Sequence, residues 1–211
     1  MREHLRAGVA VYNAGDFHDA HDAWEDLWLD LDRDTDDERL LHGLIQFTAA
    51  VHHASGRNWT GCVGLAESAG EYLADLPDEY RGVDVARVRR ILVDLAADPE
   101  VLYRRGVPVL THEGDVVALP DLDFPAAAVA AGVYAERGRY DEAVIGRAVE
   151  FARTDLDSGA QNSPFVHFVL DFAADPGNRD VVYQRLGEHV DRREHRERDV
   201  DGLFGQEGSD S

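Results

Sequence analysis

The sequence predicts an all-α bundle of helical hairpins, arranged as two related halves joined by a short irregular or hairpin segment. Three observations carry this. Apolar residues recur three and four apart through most of the 211 residues, the spacing of one buried helix face. Gly, Asn and Asp punctuate these stripes where helices start and stop. A series of motifs in the first third of the chain recurs 120 to 125 residues later, as an internal duplication would produce.

Each element follows from local pattern. Glu3 to Asn13 forms a first helix with Leu5, Val9 and Tyr12 on one stripe, and Gly15 ends it. Asp16 caps a second helix that runs through Trp28. Asp30 to Asp37 is a charged loop, followed by a helix from Glu38 to Ser55 that is apolar on nearly all sides and therefore buried. Gly56-Arg57-Asn58 turns the chain into a helix from Trp59 to Asp75, and an amphipathic helix spans Val85 to Ala96, with Pro99 beyond its end. Between Arg105 and Pro125 the period changes to two short extended runs around the Glu113-Gly114-Asp115 turn. Helical pattern resumes at Ala126 and continues to about Arg193; charge and Gly-Ser composition then predict a frayed end and a disordered tail. The expected organisation is an N-terminal helical domain over 1–98, a linker or small hairpin over 99–124, a C-terminal helical half over 125–195 and a tail over 196–211.

The repeat pairs Ala7-Gly8-Val9 with Ala131-Gly132-Val133. Gly15-Asp16-Phe17 and Ala20 answer Gly138-Arg139-Tyr140 and Ala143. The run from His42 to Ala50 answers the run from His167 to Ala174, and Gly56-Arg57-Asn58 answers Gly177-Asn178-Arg179. Gly-x-aromatic-x-x-Ala at a helix junction is also the pattern of tetratricopeptide-like hairpins, where a small residue lets two helices cross closely. Two amphipathic hairpins that resemble each other by composition alone give the competing explanation.

Composition bounds the function. Asp and Glu number 42 against 21 basic residues, every one of them arginine, for a formal net charge of −21. The acids are spread through every segment, which fits a surface that stays hydrated in concentrated salt and a salt-adapted cell. Such a charge argues against a nucleic-acid partner, because phosphate binding needs a basic patch; an acidic nucleic-acid mimic is the weaker alternative. No apolar run approaches the ~18 residues of a membrane helix, and no apolar stretch follows the N-terminus as in a signal peptide. The expectation is therefore a soluble cytoplasmic protein with no membrane partner. Cys62 is the one cysteine, which excludes an internal disulfide and a cysteine-based zinc finger.

Helical spacing also nominates a site. His21 lies in the stripe of Phe17, Ala20, Trp24 and Trp28, with Glu25 one turn along. On the following helix Gln46 and His53 lie seven residues apart on one side, with His42 one turn before Gln46. Packing of the two helices is expected to gather His21, Glu25, Gln46 and His53 into one polar pocket. The repeat replaces His21 by Val144, Glu25 by Ala148 and Gln46 by Asp171, so the second copy keeps the scaffold and drops the cluster.

The series Asn13-x-Gly15-x-Phe17-x-x-Ala20-His21-Asp22-x-Trp24-Glu25-x-x-Trp28, then Gly43-Leu44-Ile45-Gln46 with His53, then Gly56-x-Asn58-x-x-Gly61 resembles the domain of unknown function 309 family over residues 5 to 75. The resemblance implies a small helical bundle in which a His-Glu helix faces the Gly-Leu-Ile-Gln helix. It implies no reaction. The family's His-Glu pair reads His21-Asp22 here, a shorter acid with the same charge and a different reach.

Three readings of the cluster stay open. It is a hydrogen-bonded core network; or a divalent metal site held by His21, Glu25 and His53; or a metal-free acid–base pocket, with His21 as base, Glu25 orienting it and Gln46 fixing a small polar substrate. A helical-hairpin scaffold that binds a protein partner is the alternative function. No phosphate-cradling Gly-rich loop, Gly-x-Ser-x-Gly elbow or Cys-x-x-Cys is present.

Overall fold

The computed structural model describes residues 1–204 apart from Arg139 and Gln161. Helices α1 (Arg2–Asn13), α2 (Asp22–Leu29), α3 (Asp36–Ser55) and α4 (Trp59–Leu73) make up the first third, and the fold is all-α. Two short strands, β1 (Glu79–Tyr80) and β2 (Val83–Asp84), precede α5 (Val85–Ala97) and α6 (Val101–Arg105). Strands β3 (Thr111–His112) and β4 (Asp115–Val116) and a 3-10 turn at Leu119–Asp121 lead into α7 (Phe124–Gly138), α8 (Glu142–Asp157), α9 (Pro164–Ala174) and α10 (Arg179–Phe204). No helix among the described residues is long and apolar enough to cross a membrane.

The helix starts follow capping chemistry. Thr35 accepts from the Glu38 amide at the start of α3, where Asp36, Asp37 and Glu38 also meet the positive end of the helix dipole. Asn58 caps α4, Asp84 caps α5 and Asp141 caps α8, each through a side-chain oxygen. Two starts and stops differ from expectation. Asp16 does not cap a helix; its carboxylate accepts from Tyr134 Oη at 3.0 Å and Arg137 Nη1 at 2.5 Å on α7. Residues 17–21 form successive turns, and α2 begins only at Asp22. At the other end α10 continues to Phe204, past the point where a tail was expected; residues 205–211 of that tail lie outside the described residues.

The extended segment supplies β3 and β4 and pairs with β1 and β2, a hairpin ahead of α5 that the sequence did not suggest. The four strands pair antiparallel in the order β1-β2-β3-β4, with Val83 opposite His112. Both hairpins turn on two residues of positive φ, Arg81-Gly82 and Glu113-Gly114, the backbone that matches strand twist in a two-residue turn. Asn13 ties this segment to α1: its amide donates to Leu110 and Val117 carbonyls, and its oxygen accepts from the Leu110 amide.

Core side chains from all segments form one cluster, with Trp24, Tyr12, Tyr134, Phe47 and Phe172 fully buried. Two glycines decide how closely helices approach. A Cβ on Gly8 would overlap the Trp24 indole, and one on Gly43 would sit 2.5 Å from Leu73, so α2 seats on α1 and α4 on α3 by way of missing side chains. α1 in turn packs against α7.

Candidate functional site

The start of α2 is held from three sides. Trp24 lies over Gly8 and donates from Nε1 to the His4 carbonyl at 2.9 Å. The turn before the helix is pinned by Arg137, whose guanidinium pairs with both Asp16 and the buried Asp19. Burial pushes the Asp19 carboxyl up from its ordinary range, and Arg137 opposes that shift. These anchors put His21 immediately before the first turn of α2, and Asp22 and Glu25 within it.

His21 is half-buried and faces oxygens on both sides of its ring. Nδ1 meets the His18 carbonyl. Nε2 lies 2.8 Å from Asp22 Oδ1 and 3.7 Å from Glu25 Oε2. One ligand atom from each of these three residues falls within 4.8 Å of the other two. The hydrogen bond to Asp22 raises the His21 imidazole above its ordinary value, against partial desolvation, and Glu25 adds to the rise. More negative charge lies beside it. Asp22 also lines a groove of about 350 Å³ between α2, α7 and α8, where Asp26, Glu136 and Glu142 supply further carboxylates and Arg153 a guanidinium. Asp22 is the largest cause of the raised Glu136 carboxyl.

The four residues expected to converge do not form one pocket. His21 and Glu25 meet, and Asp22 joins them. Gln46 instead pairs with His42, Nε2 to Nε2 at 3.0 Å, in a ladder along α3 that continues from His42 Nδ1 to Glu38 at 3.3 Å. His53 Nδ1 accepts from the Asn58 amide at 2.8 Å, while the Asn58 oxygen caps α4 at the Gly61 amide. The reason is axial distance. Seven residues keep Gln46 and His53 on one face but separate them by about 10 Å along the helix, so one imidazole on α2 cannot serve both. Among the described residues, His21, Asp22 and Glu25 bring possible ligand atoms within 4.8 Å of one another, and His53 is not in that group. The Gly56-x-Asn58-x-x-Gly61 motif is a helix start: a Cβ on Gly61 would sit 2.7 Å from Asn58 and 3.1 Å from His53.

Reasoning from helix faces also missed a row of imidazoles. The His18 ring lies 4.9 Å from His21 and 5.2 Å from His52, and His52 lies 6.0 Å from His53. Partial desolvation and the neighbouring His18 and His53 hold His52 below its ordinary value. The signal lay in the paired spacings His18/His21 and His52/His53; the turn at residues 17–21 brings them together.

Residues 5–65 match the model of the family described as Domain of unknown function (DUF309). This is the N-terminal third, where the ordered motifs carried the resemblance. An uncharacterised protein of Aquifex aeolicus (strain VF5) is 26% identical over 99 residues, covering 47% of this chain and 29% of that relative. The chain thus spans under a third of that relative's length.

Proposed function

We propose that the protein binds a divalent metal ion through His21, Asp22 and Glu25, and presents it to a small polar ligand in the groove between α2, α7 and α8. The observation that carries this is the surroundings of His21. Its Nδ1 faces a carbonyl, which only accepts, so the neutral ring keeps its proton there. The lone pair on Nε2 then points at two carboxylates. A proton on Nε2 resolves that repulsion in the metal-free protein and a metal ion can take the proton's place, while a carbonyl-bound Nδ1–H is the outer contact that orients a metal-binding histidine.

The spacing supports the same reading. Bonds of about 2.1 Å around a four-coordinate ion put neighbouring ligand atoms roughly 3.4 Å apart; the two Nε2–oxygen distances, 2.8 and 3.7 Å, bracket that value. One nitrogen and two oxygens suit zinc or manganese better than magnesium or calcium. Three protein ligands, His21, Asp22 and Glu25, would leave a position open, and such an ion would supply Lewis-acid chemistry for hydrolysis there. Asp22 belongs to both the ligand group and the groove lining, so a ligand in the groove would lie beside the ion. The global acidity supports a salt-adapted cytoplasmic setting as part of the same proposal.

Titration of metal-free protein with Zn²⁺ by calorimetry tests this. One equivalent should bind to the wild type, none with comparable affinity to His21→Ala, and an unchanged amount to Gln46→Ala. Equal binding by the wild type and His21→Ala would overturn the proposal.

A further inference from the structure

The four-stranded sheet holds an imidazole out of solvent. His112, on β3, is 1% exposed. Gly82 lets the β1–β2 turn close over the ring, since a Cβ there would sit 3.1 Å from His112 Nε2. The same Nε2 lies 3.1 Å from the Arg81 carbonyl. A carbonyl only accepts, so the neutral ring carries its hydrogen on Nε2 and leaves Nδ1 as a bare lone pair. That atom is buried and, among the described residues, has no hydrogen-bond partner. In native proteins such an atom is the exception.

Protonation would turn Nδ1 into a donor, and an acceptor stands nearby. Glu113 Oε2 is 3.9 Å away, too far for a hydrogen bond. Arg2 on α1 holds the carboxylate by both oxygens, Nε to Oε1 at 3.0 Å and Nη2 to Oε2 at 2.8 Å. Arg2 also keeps the Glu113 carboxyl below its ordinary value, so Glu113 stays ionised over the range in which an imidazole titrates. Three other charged residues surround the ring. Arg6 on α1 has its Nε buried without a partner, Arg81 turns its guanidinium to Asp37, and Asp115 stands opposite His112 on β4, exposed. Burial is the largest influence and holds the imidazole below its ordinary value; Arg6 and Arg2 act with it, and Glu113 acts against it. The Arg2–Glu113 pair is about half exposed on both sides, and such pairs hold weakly. A buried imidazolium without an acceptor is far costlier. In acid the carboxylate therefore gains more from His112 than from Arg2.

We propose that His112 is an acid-sensitive clasp between the sheet and α1: on taking up a proton at Nδ1 it draws the Glu113 carboxylate away from Arg2 and loosens the first turn of α1. Arg2 then keeps Asp123, at 3.1 Å, as its carboxylate partner. The clasp is separate from the site assigned to metal and does not depend on it.

Histidine NMR titration of the full chain, as wild type, Arg2→Gln, Glu113→Gln and the double variant, tests this. Both side chains are about half exposed, so the fold should survive their replacement. Arg2→Gln should shift the His112 midpoint up, and Glu113→Gln should shift it down. Partner exchange makes the two effects interdependent. Removing Glu113 should lower the midpoint further in the Arg2→Gln background than in the wild type, because there the carboxylate is free to swing across. A crystal structure below the midpoint should place Glu113 Oε2 within hydrogen-bond distance of Nδ1. Equal or smaller shifts in the Arg2→Gln background would overturn the proposal. So would a crystal structure below the midpoint in which Arg2 still holds both Glu113 oxygens, or a His112 that takes up no proton before the fold is lost.

Discussion

The first and last thirds of the chain solve the same packing problem with different chemistry. In the first, α2 seats on α1 through a Gly8–Trp24 contact, and the surrounding polar side chains are imidazoles and carboxylates at the protein surface. In the last, arginines lie on aromatic rings: Arg179 is 3.8 Å from the centre of Tyr134, and Arg193 is 5.0 Å from that of Phe151 while pairing with Asp155. An arginine keeps its charge at every accessible pH, so these contacts are insensitive to protons and offer metals no nitrogen lone pair. Imidazoles titrate near neutrality and ligate metals. At the positions the proposed repeat matches to His21 and Glu25 stand Val144 and Ala148, the latter fully buried. If the thirds share an origin, reactive chemistry was kept in one and packing in the other.

The sharpest way to break this comparison uses the matched glycines. Gly8→Ala forces a methyl into the Trp24 indole and should destabilise the fold by about 1–3 kcal/mol. Gly132→Ala meets nothing within 4 Å and should be neutral or stabilising by up to about 1 kcal/mol, the helix-propensity gain. Urea unfolding of both variants reads the difference; equal losses would mean that the two helix crossings are alike after all.

A smaller effect separates cap from site at His53. Asn58→Ala removes the α4 cap and should lose about 1 kcal/mol. Asn58→Asp keeps the acceptor for the Gly61 amide, gives up only the donation to His53, and should lose less by thermal denaturation. Neither should alter Zn²⁺ binding. If Asn58→Asp abolished it, His53 would belong to the metal site.

The smallest effect is a slope with pH in metal-free protein. His21 is raised above 6.5 in the fold by Asp22, so its stabilising contribution is complete below about pH 6.5 and is lost as pH rises through the folded value. His112 is 1% exposed and lowered by burial, so its contribution has the opposite sign: present above 6.5 and lost as pH falls through the folded value. His21→Ala should flatten the alkaline side of the stability profile alone. A metal ion competes with the same proton, so Zn²⁺ affinity should rise over the range in which that stability falls.

Much of the helical frame was legible because its signals are local. Thr35, Asn58 and Asp84 sit beside the helices they cap, and the Glu113-Gly114 turn announces itself by a glycine. Asp16 was misread because its partners, Tyr134 and Arg137, lie more than a hundred residues away and no local pattern contains them. Strands β1 and β2, two residues each like β3 and β4, sit in a short connection between two helices with no longer extended run around them, and Arg81-Gly82 was the one local signal of their turn. The pairing of His21 with Glu25 followed from helical spacing. Its third member, Asp22, did not, because neighbours on a helix point apart, and only the turn that places His21 ahead of α2 lets them meet.

The most direct measurement is anomalous diffraction at the zinc absorption edge from crystals soaked in Zn²⁺. A single strong peak within bonding distance of His21 Nε2, Asp22 and Glu25 is the predicted result. A peak between His18 and His52, or none near His21, would contradict the assignment of His21 as a metal ligand.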